Sequence, residues 1–340
     1  MAERGVQGGP LPRVAVAMGD PAGVGPEVVV KALAEPEIYR ECVPVVVGDA
    51  RVLAEAPGWL GGEPRIERIE RVADARPEPG VLALVDLANV PASFRRGEVS
   101  ADGGRASIEY LDRGVELSLA GQVEAIVSAP FNKEAMKKAG FHFLDEYDYL
   151  ADLCHVPECI VLQVGPHFTL ASVTMHVAMQ DMPALVTRDR VLSTLRFSDD
   201  AAKAAGVTRP RIGVAALNPH GGEGGTLGNE EREAIRPAVE AARAEGIDAY
   251  GPFPADSFFT TVKQPAYDVY VGMYHDQGRI AMKLLDFGRV VTMAEGLPVL
   301  FCTVGHGTAF DIAGKGIAHH ENMKEAIHLA ARRAVSRRTR

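Results

Sequence analysis

Short apolar runs punctuate the chain and predict strands. Val14–Met18, Val43–Val47, Val81–Val85, Glu124–Val127, Thr169–Thr174, Ile212–Ala216, Val269–Met273 and Val299–Thr303 are mostly β-branched and flanked by turn residues. Runs of that length without polar alternation mark strands buried on both faces. Between them, apolar residues recur at helical spacing in Gly25–Ala34, Gly104–Ala120, Arg188–Ala205, Glu230–Glu245 and Met323–Val335. That alternation predicts an α/β fold, with a largely parallel sheet covered by helices. Residues 1–12, rich in Gly and Pro, read as a loose tail.

Composition narrows the picture. The 340 residues are 47% apolar and 24% charged, an ordinary globular mixture with length for two domains or one large α/β unit. A net charge of −9 argues against a nucleic-acid-binding surface. The basic cluster Arg332, Arg333, Arg337, Arg338 and Arg340 reads as a solvated helix end favoured by the helix dipole. Cys42, Cys154, Cys159 and Cys302 form no CxxC pair, so reduced thiols in a cytoplasmic protein are expected. Nothing near Met1 resembles a signal peptide, and no run reaches the roughly 18 apolar residues of a membrane span. No membrane partner is expected.

Sheets of this kind carry their chemistry in loops beyond the carboxyl ends of the strands, and the polar oddities fall there. Gly19-Asp20-Pro21-Ala22-Gly23-Val24-Gly25-Pro26-Glu27 follows the first strand and leads into a helix. Glycines at such a turn let backbone N–H groups approach an anion, although the spacing is neither GxGxxG nor a P-loop. A tight turn that needs glycine explains it equally well. His176, His220 and His275 each lie just past a different buried strand. Neighbouring parallel strands deliver their ends to one sheet edge, where three imidazoles can converge on a divalent metal and leave positions open to substrate. A single histidine is more often surface or core, so the weight rests on the three together. A fourth loop, Val304–Ala318, offers backbone donors from its glycines, with Asp311 nearby, for a ribose or adenine. A flexible connector would have the same composition.

The Val304–Ala318 loop resembles the adenosine-binding loop of the β-decarboxylating dehydrogenases, the isocitrate and isopropylmalate dehydrogenase type. More of the chain is similar to the 4-hydroxythreonine-4-phosphate dehydrogenase family. The likeness runs in order through Gly19–Glu27, Ala129–Lys133, Asn218–Gly225, Gly251–Asp256, Tyr274–Gly278, Phe287–Arg289 and His306–Gly316. It implies a two-lobed α/β/α fold of the isocitrate/isopropylmalate dehydrogenase kind with its active site in the interlobe cleft. Lobe one would comprise residues 1–130 with 300–340, and lobe two 131–299, carrying the metal histidines. It also implies a homodimer in which His176, His220 and His275 hold a divalent metal (Zn, Mg, Mn or Co) across the interface. The cofactor would be NAD or NADP, bound by Gly305, His306, Gly307, Thr308, Ala309 and Asp311. Lys283 matches a substrate-contacting lysine and becomes the candidate for proton handling, assisted by Asp256 or Asp276.

The substrate side departs from the family pattern. Asp145-Glu146-Tyr147-Asp148 stands where the family has Gly-His-Thr-Glu, and Thr292 and Phe301 replace an asparagine and an arginine that bind substrate. Losing donors and gaining an acceptor charge weakens anion binding. Glu146, Thr292 and Phe301 therefore point to a paralogue that oxidises another hydroxy acid, with decarboxylation of the keto acid, its substrate-binding residues being these three with Tyr147 and Lys283. Phe301 and Val304-Gly305-His306-Gly307 resemble the branch that oxidises and decarboxylates the cis-dihydrodiol of terephthalate. The alternatives are the biosynthetic reaction on 4-phosphohydroxythreonine, and a metal- or nucleotide-binding regulator without catalysis.

Overall fold

A computed structural model describes residues 9–338 apart from Gly61, Glu63 and Leu144. The expectations for residues 1–8 and Arg340 lie outside the described residues. The chain forms two compact units, Met1–Tyr149 with Leu297–Arg340, and Leu150–Gly296.

The first unit holds six strands, β1 (Arg13–Ala17), β2 (Val43–Gly48), β3 (Arg65–Arg68), β4 (Val81–Asp86), β5 (Ala125–Ser128) and β12 (Phe301–Val304). They lie in the order β3-β4-β2-β1-β5-β12, every pair parallel. Val14 to Ala17 and Val45 to Val47 are wholly buried, as runs without polar alternation require. Helices α1 (Gly25–Ala32), α2 (Ala101–Leu119), α3 (Lys133–Lys138) and α8 (Glu321–Arg338) belong to this unit, and α4 (Glu146–Leu153) spans its border. The Ser100 hydroxyl caps α2 by accepting from Gly103 N at 3.1 Å, and Asn132 caps α3 by accepting from Ala135 N at 2.8 Å. The border falls at Tyr149 rather than near residue 130 because α3 is packed onto α2. A Cβ at Gly104 would lie 2.1 Å from the Ala135 carbonyl oxygen, so only glycine permits that contact. The C-terminal basic cluster is only partly solvated. Arg333 is buried, and the Arg338 guanidinium bonds Glu124.

The second unit holds β6 (Ile160–Val164), β7 (Thr169–Ser172), β8 (Arg211–Ala215), β9 (Asp248–Phe253), β10 (Val269–Gly272) and β11 (Val291–Glu295). Their order is β11-β6-β7-β10-β8-β9, with β6 antiparallel to both neighbours and the rest parallel. Helices α5 (Arg188–Ala204), α6 (Arg236–Ala244) and α7 (His275–Asp286) belong to it. An aromatic cluster that includes Phe168, Phe258, Phe259 and Tyr270 closes around Leu170 and Met282 and seats α7 on the sheet. Gly278 lets α7 approach, since a Cβ there would meet Leu170 Cδ1 at 2.4 Å. None of the four cysteines is in a disulfide, and among the described residues no helix is long and apolar enough to cross a membrane.

Candidate functional site

Strands β7, β10 and β8 are consecutive neighbours, and His176, His275 and His220 follow them in turn. The sheet therefore delivers the three histidines to one edge, with His275 in the middle. His275 is the first residue of α7, and its ring lies 5.7 Å from that of His176, centroid to centroid. The two line a cavity of about 210 Å³ with Met175, Val177, Met179, Met182, Tyr274 and Asp276.

The Asp276 carboxylate takes the His275 Nδ1 at 2.5 Å, which leaves Nε2 as the nitrogen open to a ligand. Asp276, expected as a proton-handling group, here orients the histidine beside it. Partial burial pushes the His275 imidazole below its ordinary value, against the hydrogen bond it makes to Asp276, which raises it. A neutral imidazole with its far nitrogen held by a carboxylate is the form that binds a divalent metal, so this pair fits one.

His220 does not line that cavity. Among the described residues no group of three His, Cys, Asp or Glu side chains is arranged around one ion. Within one chain, then, the structure assembles two of the three expected ligands. The His220 loop explains the difference. Residues 220 to 224 all adopt left-handed backbone, with φ of 53° at His220 and 43° at Glu223. That conformation costs about 1–2 kcal/mol for each non-glycine residue and persists only where its surroundings enforce it. Glu231, almost wholly buried, fixes the segment that leads into this loop. One of its oxygens accepts from Leu217 N at 2.8 Å and Asn218 N at 2.7 Å, and the other accepts from Asn218 Nδ2 at 3.0 Å. His220 repeats the His275 arrangement, its Nδ1 taken by Glu223 at 2.8 Å. Sequence reasoning missed Glu231. Its role lies in backbone groups that only the fold brings to it, so the sequence carries no signal for it.

In the first unit, the glycine-rich segment after β1 packs against the segment after β12. Val24 N donates to Thr308 O at 2.9 Å, and Asn132 Nδ2 to Thr308 Oγ1 at 3.4 Å. A Cβ at Gly23 would sit 2.7 Å from Thr308 O, so that glycine is required by close approach. Glu27, wholly buried, accepts from Gly316 N and Ala318 N, while Lys31 bonds Glu27 and the carbonyls of both loop residues. This cross-bracing fixes the end of the loop. Gly305, Gly307, Ala309 and Asp311 remain exposed along it, and a buried His306 Nε2 lacks a partner. Thr308 is the buried anchor. Exposed backbone on a braced glycine loop fits a dinucleotide.

The remaining expected residues are dispersed. Lys283 is exposed on α7, eight residues after His275 and therefore about 12 Å further along the helix axis. Asp256 is exposed just after β9. Thr292 is buried in β11, and Phe301 is wholly buried at the start of β12, edge-on to Tyr147 at 6.4 Å. Phe301 thus packs in the protein interior instead of facing a substrate ring. Glu146 is half-buried in the first turn of α4.

Residues 40–330 match the family model of the pyridoxal phosphate biosynthetic protein PdxA. A 4-hydroxythreonine-4-phosphate dehydrogenase of Trichlorobacter lovleyi is 42% identical over 96% of this chain and 99% of its own. A protein of Symbiobacterium thermophilum, assigned as a D-threonate 4-phosphate dehydrogenase, is 40% identical over 97% and 99%. Among solved structures, a 4-hydroxythreonine-4-phosphate dehydrogenase from Burkholderia phymatum superimposes with a TM-score of 0.84 at 40% identity, covering 96% and 99% of the two chains. A terephthalate 1,2-cis-dihydrodiol dehydrogenase from Burkholderia xenovorans LB400 lies further away, with a TM-score of 0.65 and 30% identity over 95% and 98%. These structures share the isocitrate/isopropylmalate dehydrogenase-like α/β fold expected from the sequence.

Proposed function

The chain belongs to the PdxA family of dehydrogenases, and from that premise we propose that it oxidises the secondary hydroxyl of a phosphorylated four-carbon hydroxy acid. 4-Hydroxythreonine-4-phosphate is the leading substrate, with D-threonate 4-phosphate as its near relative. The observation that carries this reading is the near full-length identity of 42% and 40% to proteins named for those two compounds. The aromatic dihydrodiol carboxylate suggested by Phe301 gives way, both on the lower similarity of that branch and because Phe301 is buried against Tyr147.

His176 and His275 would hold a divalent metal, with His220 of a second copy completing the set. Bound there, such an ion would supply Lewis-acid polarisation of the substrate hydroxyl. Asp276 keeps the His275 ring oriented through Nδ1, and Glu231 holds Leu217 and Asn218 at the entry to the His220 loop. The loop Gly305–Asp311 would hold the adenosine end of NAD or NADP, the hydride acceptor that this reaction class needs. Lys283 takes the hydroxyl proton in this reading, assisted by Asp256. Oxidation at the carbon β to the carboxylate gives a β-keto acid, the form that loses carbon dioxide readily.

A homodimer accounts for the division of these groups. Ile280 and Leu284, four residues apart on α7, and Phe287 just past its end are 61%, 80% and 83% exposed. An exposed apolar stripe on the helix that begins with His275 fits a second copy of this chain.

NAD(P)H formation distinguishes the substrates. With divalent metal present, the two phosphorylated acids should turn over at least about tenfold faster than their dephosphorylated forms, the loss expected for one charge-assisted contact. Turnover of an aromatic cis-dihydrodiol carboxylate, with none of either phosphorylated acid, would overturn the proposal.

A further inference from the structure

Gln277, in the first turn of α7, joins two strand ends that the sheet ladder leaves apart. Strands β10 and β8 pair in register from Val269 opposite Ile212 to Val271 opposite Val214. Beyond that point the Gln277 side chain bridges them. Its Oε1 accepts from Met273 N at 2.7 Å, and its Nε2 donates to Ala216 O at 2.7 Å. On the other side of Met273, its carbonyl accepts from Thr174 N at 3.1 Å and from Thr174 Oγ1 at 2.8 Å. Thr174 is wholly buried.

The Met273 peptide groups are thus a node between three strand ends. Thr174 lies two residues before His176, Met273 two before His275, and Ala216 two before Asn218, where the His220 loop begins. Each bond of the node fixes the exit of one histidine-bearing segment. Only an amide can act at Gln277, because Met273 N–H demands an acceptor and the Ala216 carbonyl demands a donor from the same side chain.

We propose that Gln277 is a positioning residue for the divalent-metal site, tying the end of β10 to that of β8 and holding Met273, which Thr174 joins to the β7 end, so that His275 keeps its place against His176. This rests on the reading of His176 and His275 as metal ligands. A glutamate at this position keeps the acceptor but sets a carboxylate oxygen against the Ala216 carbonyl. A methionine fills the volume and supplies neither bond. In both cases the start of α7, where His275 lies, can shift, and a metal site tolerates little displacement of its ligands.

Cobalt(II) titration of the full-length protein, followed by its ligand-field absorption, tests this in wild type, Gln277→Glu, Gln277→Met, Thr174→Val and His275→Ala. Removing a group that orients a ligand weakens metal binding by about 10–100-fold. Both Gln277 variants should show a loss of that order with an altered cobalt spectrum, while circular dichroism at the titration temperature matches wild type. The isosteric Thr174→Val probes the same node should a Gln277 variant fail to fold, and it should also weaken cobalt binding. A purely architectural role would lower thermal stability and leave the affinity and spectrum of the folded protein unchanged. Wild-type affinity and spectrum in all three node variants, with cobalt lost in His275→Ala, would overturn the positioning role alone. Cobalt retained in His275→Ala, or none taken up by wild type, would overturn the metal reading and this proposal with it.

Discussion

Asp20 has one carboxylate oxygen bonded to Ala22 N at 2.8 Å and the other buried without a partner. Burial pushes its pKa up from 3.8 to about 6, against the lowering effect of the Ala22 bond. The folded state therefore holds this proton more tightly than the unfolded chain. The resulting stabilisation is complete below the unfolded value and is lost as pH rises through about 6. Asp20→Asn cannot ionise, so the stability of wild type relative to this variant should fall by up to about 3 kcal/mol between about pH 4 and about pH 7. Urea denaturation across that range measures it, and a constant difference would contradict the assignment. Asp20 was visible in the sequence only as part of a glycine-rich turn. The placement of the histidines at one sheet edge was legible because each lies within four residues of an apolar run, whereas Glu231 and Gln277 were not, since each bonds main-chain groups that only the fold brings to it. Phe301 and Thr292 were read as substrate contacts from the residues they replace, yet side-chain burial places both in strand interiors.

At the scale of elements, glycines mark where helices touch. Gly104→Ala would drive a Cβ into the Ala135 carbonyl and force α2 from α3, costing about 1–3 kcal/mol in urea melts. Gly58→Ala, with nothing within 4 Å of its Cβ position, serves as the neutral comparison. All eight strands read from apolar runs are present, with ends shifted by a residue or two. Four others escaped. β3, Arg-Ile-Glu-Arg, is a charged edge strand, as edges exposed to solvent require. β9 contains Gly251-Pro252 and lies at the opposite edge of its own unit. β6 and β11 include Gln163 and Thr292, which break the apolar run. Helix α7 was hidden because it starts His-Asp-Gln-Gly, a string that reads as a loop. The glycine is explained by Leu170, and the polar residues by the strand ends they cap.

For the molecule as a whole, the two units divide the proposed work, with the histidine edge in one and the braced loop of Gly305–Asp311 in the other. The apolar stripe on α7 makes dimerisation testable. Leu284→Asp with Phe287→Asp should convert a dimer to a monomer by light scattering coupled to gel filtration, and should lower activity if the metal set is shared. A wild-type monomer would refute the shared site. The central claim, metal-dependent oxidation of a phosphorylated hydroxy acid, is reached most directly by following NAD(P)H absorbance. Chelator-treated protein is mixed with cofactor and 4-hydroxythreonine-4-phosphate, and a divalent metal is then added. The account predicts no NAD(P)H before the metal and steady formation after it in wild type, with none in His275→Ala. Equal rates with and without metal, or wild-type rates in His275→Ala, would contradict it.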